Sequence, residues 1–209
     1  MEFADQYLIK IESSENKQHP WSGKPEKEAE KIFAKTYPAI HARFQQFRDA
    51  LIQRDDQGKF FWELRSCAYW QGFEKPKIAY PNICKRNEFT WDDSGFCTNQ
   101  KAFIITGATK YLLGVLNSSV VMWLFTQLLA KLQNDFYEPS AVFMEKFPIP
   151  LTATEKQASL ITLVDRILAA RQHDARADTS EMEQEIDRYV YALYGLTPEE
   201  IQIVEASSH

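Results

Sequence analysis

Cysteine is scarce in this chain and badly spaced for chemistry. Cys67, Cys84 and Cys97 are the three in 209 residues, and no C-x-x-C pair exists. An odd, scattered count argues against a disulfide framework and for reduced thiols. The four histidines are equally dispersed, so no zinc-binding pattern forms. Glycine is also thin on the ground. None of the seven makes G-x-G-x-x-G or G-x-x-x-x-G-K-[ST], which removes the common phosphate-cradling loops, and neither G-x-S-x-G nor H-E-x-x-H occurs.

A long unbroken apolar run is missing as well. The nearest is KYLLGVLNSSVVMWLFTQLLAKLQ at 110–133, which Asn117, Ser118, Ser119, Thr126 and Gln127 interrupt. A bilayer span needs about 20 predominantly apolar residues. The run reads instead as two buried helices, 110–116 and 119–132, with Asn117 and Ser118 serving the backbone at their junction. The N-terminus carries acids where a secretory signal has bases followed by an apolar stretch. A cytoplasmic protein with no membrane partner is the expectation.

What is present is ample core material: 44% hydrophobic and 13% aromatic residues exclude disorder as a global description. The net charge of −5 is unevenly spread. Residues 59–110 carry +3, whereas 151–209 carry −6. A polyanion would be tolerated by the first segment and repelled by the second.

Along the chain, YLIKIES at 7–13 alternates like a half-buried strand, and 18–27 reads as a loop. Glu28 to Lys35 is helical in composition. Ile40, Phe44, Phe47 and Leu51 recur at helical spacing, which predicts one amphipathic helix over 38–54 with Pro38 in its first turn. From 60 to 107 the pattern turns to short extended pieces: FFWELR, KPKIAYPNI, EFTW and FCTNQKAFIITG. Asp92-Asp93-Ser94-Gly95 looks like a hairpin turn between two of them. Pro81 must sit at a strand edge or end, because it cannot donate to a ladder.

After an extended exit at KFPIP, the tail shows three helix starts. Thr154 with Gln157, Ser180 with Glu183, and Thr197-Pro198 with Glu200 each fit a capping box. Gly195 suits a left-handed helix stop. The fold class is therefore α+β: a small twisted, mainly antiparallel sheet packed with helices, followed by an antiparallel helical spacer. The domains expected are 1–150, of mixed α/β character, and 151–209, a helical unit of its own.

Chemistry-bearing residues gather in the extended middle: Arg65, Trp70, Lys77, Tyr80, Asn82, Lys85, Arg86, Asn87, Asn99, Gln100 and Lys101. Arg and Lys pair with phosphate or guanine, and Asn and Gln with adenine, so loops rich in these types suit a base reader. Read singly, each is also an ordinary loop residue. Asp5 with Glu15-Asn16-Lys17 formally fits a metal-dependent nuclease, a pattern that arises by chance in chains with many acids and lysines. Cys67 and Cys84 read as buried and inert.

The succession WELRSCAYW (62–70), FEKPKIAYPNI (73–83), DDSGFCTNQKAFIITG (92–107), YLLGVLNSSVVMWLF (111–125), FMEKFPIP (143–150) and IDRYVYALYGLTPEEIQIVE (186–205) resembles the TaqI-like C-terminal specificity domain. That domain occurs in type IIG restriction–modification enzymes and related adenine-specific methyltransferases. The chain is also similar to the target recognition domain and spacer helices of type I specificity subunits. The resemblance covers roughly 36–205 and implies docking in the major groove of double-stranded DNA on behalf of a linked methyltransferase or endonuclease.

It implies a DNA-binding set drawn from Arg65, Lys77, Tyr80, Asn82, Lys85, Arg86, Asn99, Gln100 and Lys101, with no catalytic and no metal-binding residue. It makes LLGVLNS at 112–118 a structural signature. The Asn-Pro-Pro-Tyr motif and glycine-rich S-adenosylmethionine loop of such methyltransferases are absent from the 209 residues. The chain is therefore expected to be the non-catalytic C-terminal piece of a larger protein. S-adenosylmethionine and magnesium would belong to the parent, and the tail would pack on another domain or subunit. The competing expectation is a protein-interaction scaffold working through the acidic helical tail.

Overall fold

The computed structural model describes residues 5–207. It divides into two compact units, residues 2–70 and 71–209.

The first unit is built on aromatic packing. Trp62 is stacked between Phe33 and Phe60, at ring-centroid distances of 5.0 and 4.7 Å, with Phe61 edge-on at 5.0 Å. Such rings supply large apolar area with fixed geometry. Phe33 comes from α1 (Glu26–Thr36), which Pro25 precedes; α2 (Pro38–Gln45) and α3 (Arg48–Ile52) follow. The single helix expected over 38–54 is thus two. Gln46 and Phe47 donate to carbonyls three residues back, a tightened turn that ends α2. The new direction lets Arg48 pair with both oxygens of Glu30 on α1 and lie 4.5 Å from the Phe61 ring centre. The Arg48 hydrogen bond holds the Glu30 carboxyl down at about 2.

Two further expectations fail in this unit. Residues 7–13 join no strand; Ile11 is buried and its carbonyl accepts the Leu64 N–H at 2.8 Å. FFWELR is a turn, because Glu63 is drawn wholly inside. Its carboxylate accepts Trp21 Nε1 at 2.8 Å, Ser14 N at 3.0 Å and Lys59 N at 3.1 Å, and also the Ser14 hydroxyl. Burying a carboxylate is tolerable only with such a donor set. Trp21, inside the segment read as a loop, is fully buried for the same reason.

The second unit holds the sheet. α4 (Trp70–Glu74) starts at the junction and leads into β1 (Lys77–Pro81), β2 (Thr90–Asp92) and β3 (Ala102–Thr106). Their order is β2-β1-β3, with both pairings antiparallel. The DDSG turn therefore does not make a hairpin: β2 and β3 flank it but each pairs with β1. Asp92 Oδ1 accepts the Ser94 N–H at 2.9 Å, turning the chain away from the sheet. Pro81 does close β1 at its end.

The pleat sends the row Trp91, Ile78, Ile105 to one face and the row Asp92, Lys77, Thr106 to the other. The first face packs on α5 (Lys110–Leu116) and α6 (Ser119–Leu128). Beyond a tight turn at Gln133–Asp135 and α7 (Ala141–Met144), the tail forms α8 (Thr154–His173), α9 (Ser180–Tyr194) and α10 (Pro198–Ala206). Leu160 and Val164 of α8 approach α5 so closely that a Cβ on Gly114 would stand 3.0–3.2 Å from their side chains. The tail's apolar stripes thus share one core with the sheet and α5–α6. Among the described residues no single helix is long and apolar enough to cross a membrane, and α5 and α6 are bent by 60° at their break.

Only the third capping box forms, at Thr197 and Glu200. Gln157 donates to the Thr152 carbonyl instead, and Thr179, one residue early, is the cap position of α9. Gly195 takes the left-handed φ of 66° that ends α9.

The α5–α6 junction is held from outside both helices. Asn117 accepts the Phe89 N–H at 3.0 Å and donates to the Phe89 carbonyl at 2.9 Å, and Asn87 donates to the carbonyls of Leu116 and Ser118, both at 2.9 Å. Asp187 of α9 accepts the Ser119 N–H at 2.7 Å and its hydroxyl at 2.6 Å, capping α6 in trans. Burial nonetheless raises the Asp187 carboxyl above its ordinary value, against the pull of Ser119. Asp187→Ala should cost about 1–2 kcal/mol of unfolding free energy, as lost caps do. Asp187→Asn keeps an acceptor and avoids burying charge. Its stability relative to wild type should rise as pH increases through the raised Asp187 pKa, and denaturant melts across that range measure it.

Candidate nucleic-acid interface

Where β1 leaves the sheet, six of the nine expected DNA-binding residues come together. Asn82 donates its N–H to the Lys101 carbonyl at 2.9 Å, and its carboxamide reaches the Gln100 carbonyl at 3.4 Å. The turn opposite is closed by Asn99, whose Oδ1 accepts the Lys101 N–H at 2.9 Å and whose carbonyl accepts the Ala102 N–H at 3.2 Å. Asn99, Gln100 and Lys101 are exposed there. Two residues past Asn82, Cys84 exchanges backbone hydrogen bonds with Tyr137, at 3.0 and 2.7 Å. Lys85 and Arg86 follow, both exposed, with Lys85 Nζ 5.1 Å from the Phe136 ring centre.

The other three lie elsewhere. Lys77 is 0% exposed: its ammonium pairs with Asp92 and donates to the Phe73 carbonyl at 2.7 Å. Tyr80 is buried against Phe89 and Phe103, at 5.1 and 5.5 Å. Lys77 sits at the far end of β1 from this edge, level with Asp92 and Thr106, and Tyr80 lies on the other face, next to the Pro81 end. Arg65 is exposed but belongs to the first unit. Asn87 turns inward to the α5–α6 junction, and the Trp70 ring has Lys10 Nζ at 6.0 Å. Periodicity could not separate these from their neighbours, because Lys77 lies in a strand whose two faces are both covered.

The remaining candidates for chemistry disperse. Lys17 of the E-x-K triplet is paired with Glu12 at 3.1 Å, and Glu15 is exposed. Among the described residues no group of three or more His, Cys, Asp and Glu could hold a metal ion. Burial, helped by Glu88, pushes the Cys84 thiol up to about 11, so it is a poor nucleophile at neutral pH.

The edge at 82–86 and 99–101 therefore offers Lys85, Arg86 and Lys101 for phosphates and carboxamides for base edges. One element next to it escaped the sequence reading. Residues 129–132, read as the end of α6, instead leave the helix at Leu129 and form a hairpin with 136–137. Ala130, Lys131 and Leu132 are good helix formers, which masks the stop; the Asn134-Asp135 pair is the turn signal that marks it.

The family model of the TaqI-like C-terminal specificity domain matches residues 2–149. That match takes in both the sheet with its exposed edge and the aromatic first unit, and ends before α8. No curated protein matches the chain.

The geometry separates a supporting lysine from surface ones. Lys77→Met strands the buried Asp92 carboxylate, so it should lower stability by about 3–5 kcal/mol. Lys101→Ala, on the surface, should change stability by less than about 0.5 kcal/mol. Equilibrium denaturation of the two variants measures both.

Proposed function

The chain belongs to the TaqI-like C-terminal specificity domain family, whose role is DNA target recognition in restriction–modification, and on that premise we propose that its reading surface is the edge carrying Asn82, Lys85, Arg86, Asn99, Gln100 and Lys101. The observation that carries this is their convergence at one end of a three-stranded sheet, where Tyr80 is buried in the strand just behind them. The cations neutralise phosphates and set the register on the duplex, while the carboxamides face base edges. A rigid sheet end favours this task, since base choice demands fixed side-chain geometry.

In this reading the chain supplies specificity and a linked methyltransferase or endonuclease supplies the reaction. S-adenosylmethionine and magnesium are then requirements of the linked part. The tail helices act as a spacer that holds the reading edge at a set distance from that part. Their outer surface exposes Glu181, Glu183, Glu185, Glu199, Glu200 and Glu205, which favours a protein neighbour over DNA.

Salt dependence tests the proposal. Affinity for duplex DNA should fall linearly in log–log form as salt rises, with a slope of about −0.9 per phosphate contact. Lys85→Ala, Arg86→Ala and Lys101→Ala should each weaken binding across all sequences and make the slope shallower by roughly 1. No binding to a randomised duplex pool at low salt, or slopes equal to wild type in all three variants, would count against this edge as the DNA contact.

A further inference from the structure

The hairpin after α6 lies against the proposed reading edge and has its own chemistry. Leu129, at the end of α6, takes an extended ψ of 142°, and the chain then doubles back so that Lys131 bridges Tyr137 and Tyr137 bridges Cys84, both antiparallel. The Leu132 N–H donates to the Phe136 carbonyl at 2.7 Å and closes the loop. Its base is anchored in the core: Leu129 and Tyr137 are buried, with the Tyr137 ring 6.0 Å from Phe125.

The tip is different. Gln133, Asn134 and Asp135 are all exposed, and Asn134 and Asp135 hold φ of 59° and 63°. Left-handed backbone outside glycine is uncommon, and Asn and Asp are the residues that tolerate it best. The acid is neutralised in place, since Lys131 Nζ stands 2.9 Å from Asp135 Oδ1. Phe136 is braced by Lys85 of the neighbouring segment. Two outward carboxamides, Gln133 and Asn134, are left at the apex of a fixed ribbon.

Resting on the reading of this chain as a DNA recognition module, we propose that Gln133 and Asn134 are specificity-determining residues that read adenine in the major groove. A two-stranded ribbon fits a groove about 12 Å wide, and a carboxamide matches the adenine N6 donor and N7 acceptor together. The hairpin extends the edge of Asn82, Lys85 and Arg86, so phosphate anchoring by the lysines and base reading at the tip occur on one continuous surface.

The test is selection from a randomised duplex pool by the 209-residue chain, followed by sequencing of the retained DNA, for wild type, Gln133→Ala and Asn134→Gly. Glycine preserves the left-handed φ that alanine would strain. At least one variant should lose roughly tenfold of the preference at one A·T pair, with the salt slope unchanged. Wild-type preference in both variants overturns this inference and leaves DNA recognition standing. Loss confined to a G·C pair overturns the adenine assignment. A wild-type chain that binds without sequence preference, or not at all, overturns the recognition reading, and this inference falls with it.

Discussion

A helix interrupted inside a core leaves backbone N–H and C=O groups that water serves poorly, and each must find a partner. The break between α5 and α6 is such a place, with Ser118 only 1% exposed. Its partners come from two distant parts of the sequence. Asn87 and the Phe89 backbone approach from the loop that follows the proposed reading edge, and Asp187 approaches from the tail. Because Lys85 and Arg86 immediately precede Asn87, satisfying the helix break also fixes where those cations emerge. The tail is tied to the same point through Asp187, so hydrogen bonds to one junction link it to the segment that carries the proposed reading edge.

The sheet adds a second constraint. β1 is central and covered on both faces, so its one cationic side chain, Lys77, needs a buried counter-charge and finds it in Asp92 across the strand pair. Taking either charge out of water is costly unless the geometry and extra hydrogen bonds compensate; here the Phe73 carbonyl supplies one. The polar pair within the sheet is thus spent on holding it together, whereas beyond Pro81 the cations Lys85 and Arg86 are exposed.

Much of this architecture is legible in the residues. The place of the helix break at Asn117-Ser118, the end of β1 at Pro81, the box at Thr197 and the stop at Gly195 all match the residues, although the α6 cap comes from Asp187 and not from Ser118. The failures share a cause, which is tertiary contact overriding local pattern. FFWELR has strand composition, yet Glu63 pulls it into a turn to meet Ser14 and Trp21. The alternation at 92–107 suggests a hairpin, but β1 inserts between its arms. Residue types alone nominated Lys77 and Lys101 equally. Only burial separates Lys77, inside the sheet, from Lys101, exposed at its other end.

On the proposed reading, the exposed end of the sheet, and not the acidic tail, meets DNA. Amide hydrogen exchange of the 209-residue chain, with and without a duplex selected from a random pool, addresses it most directly. Slowed exchange at 82–86 and 99–101, with α9 and α10 unaffected, is the expected result. Protection confined to α8–α10, with the sheet end unchanged, would contradict it.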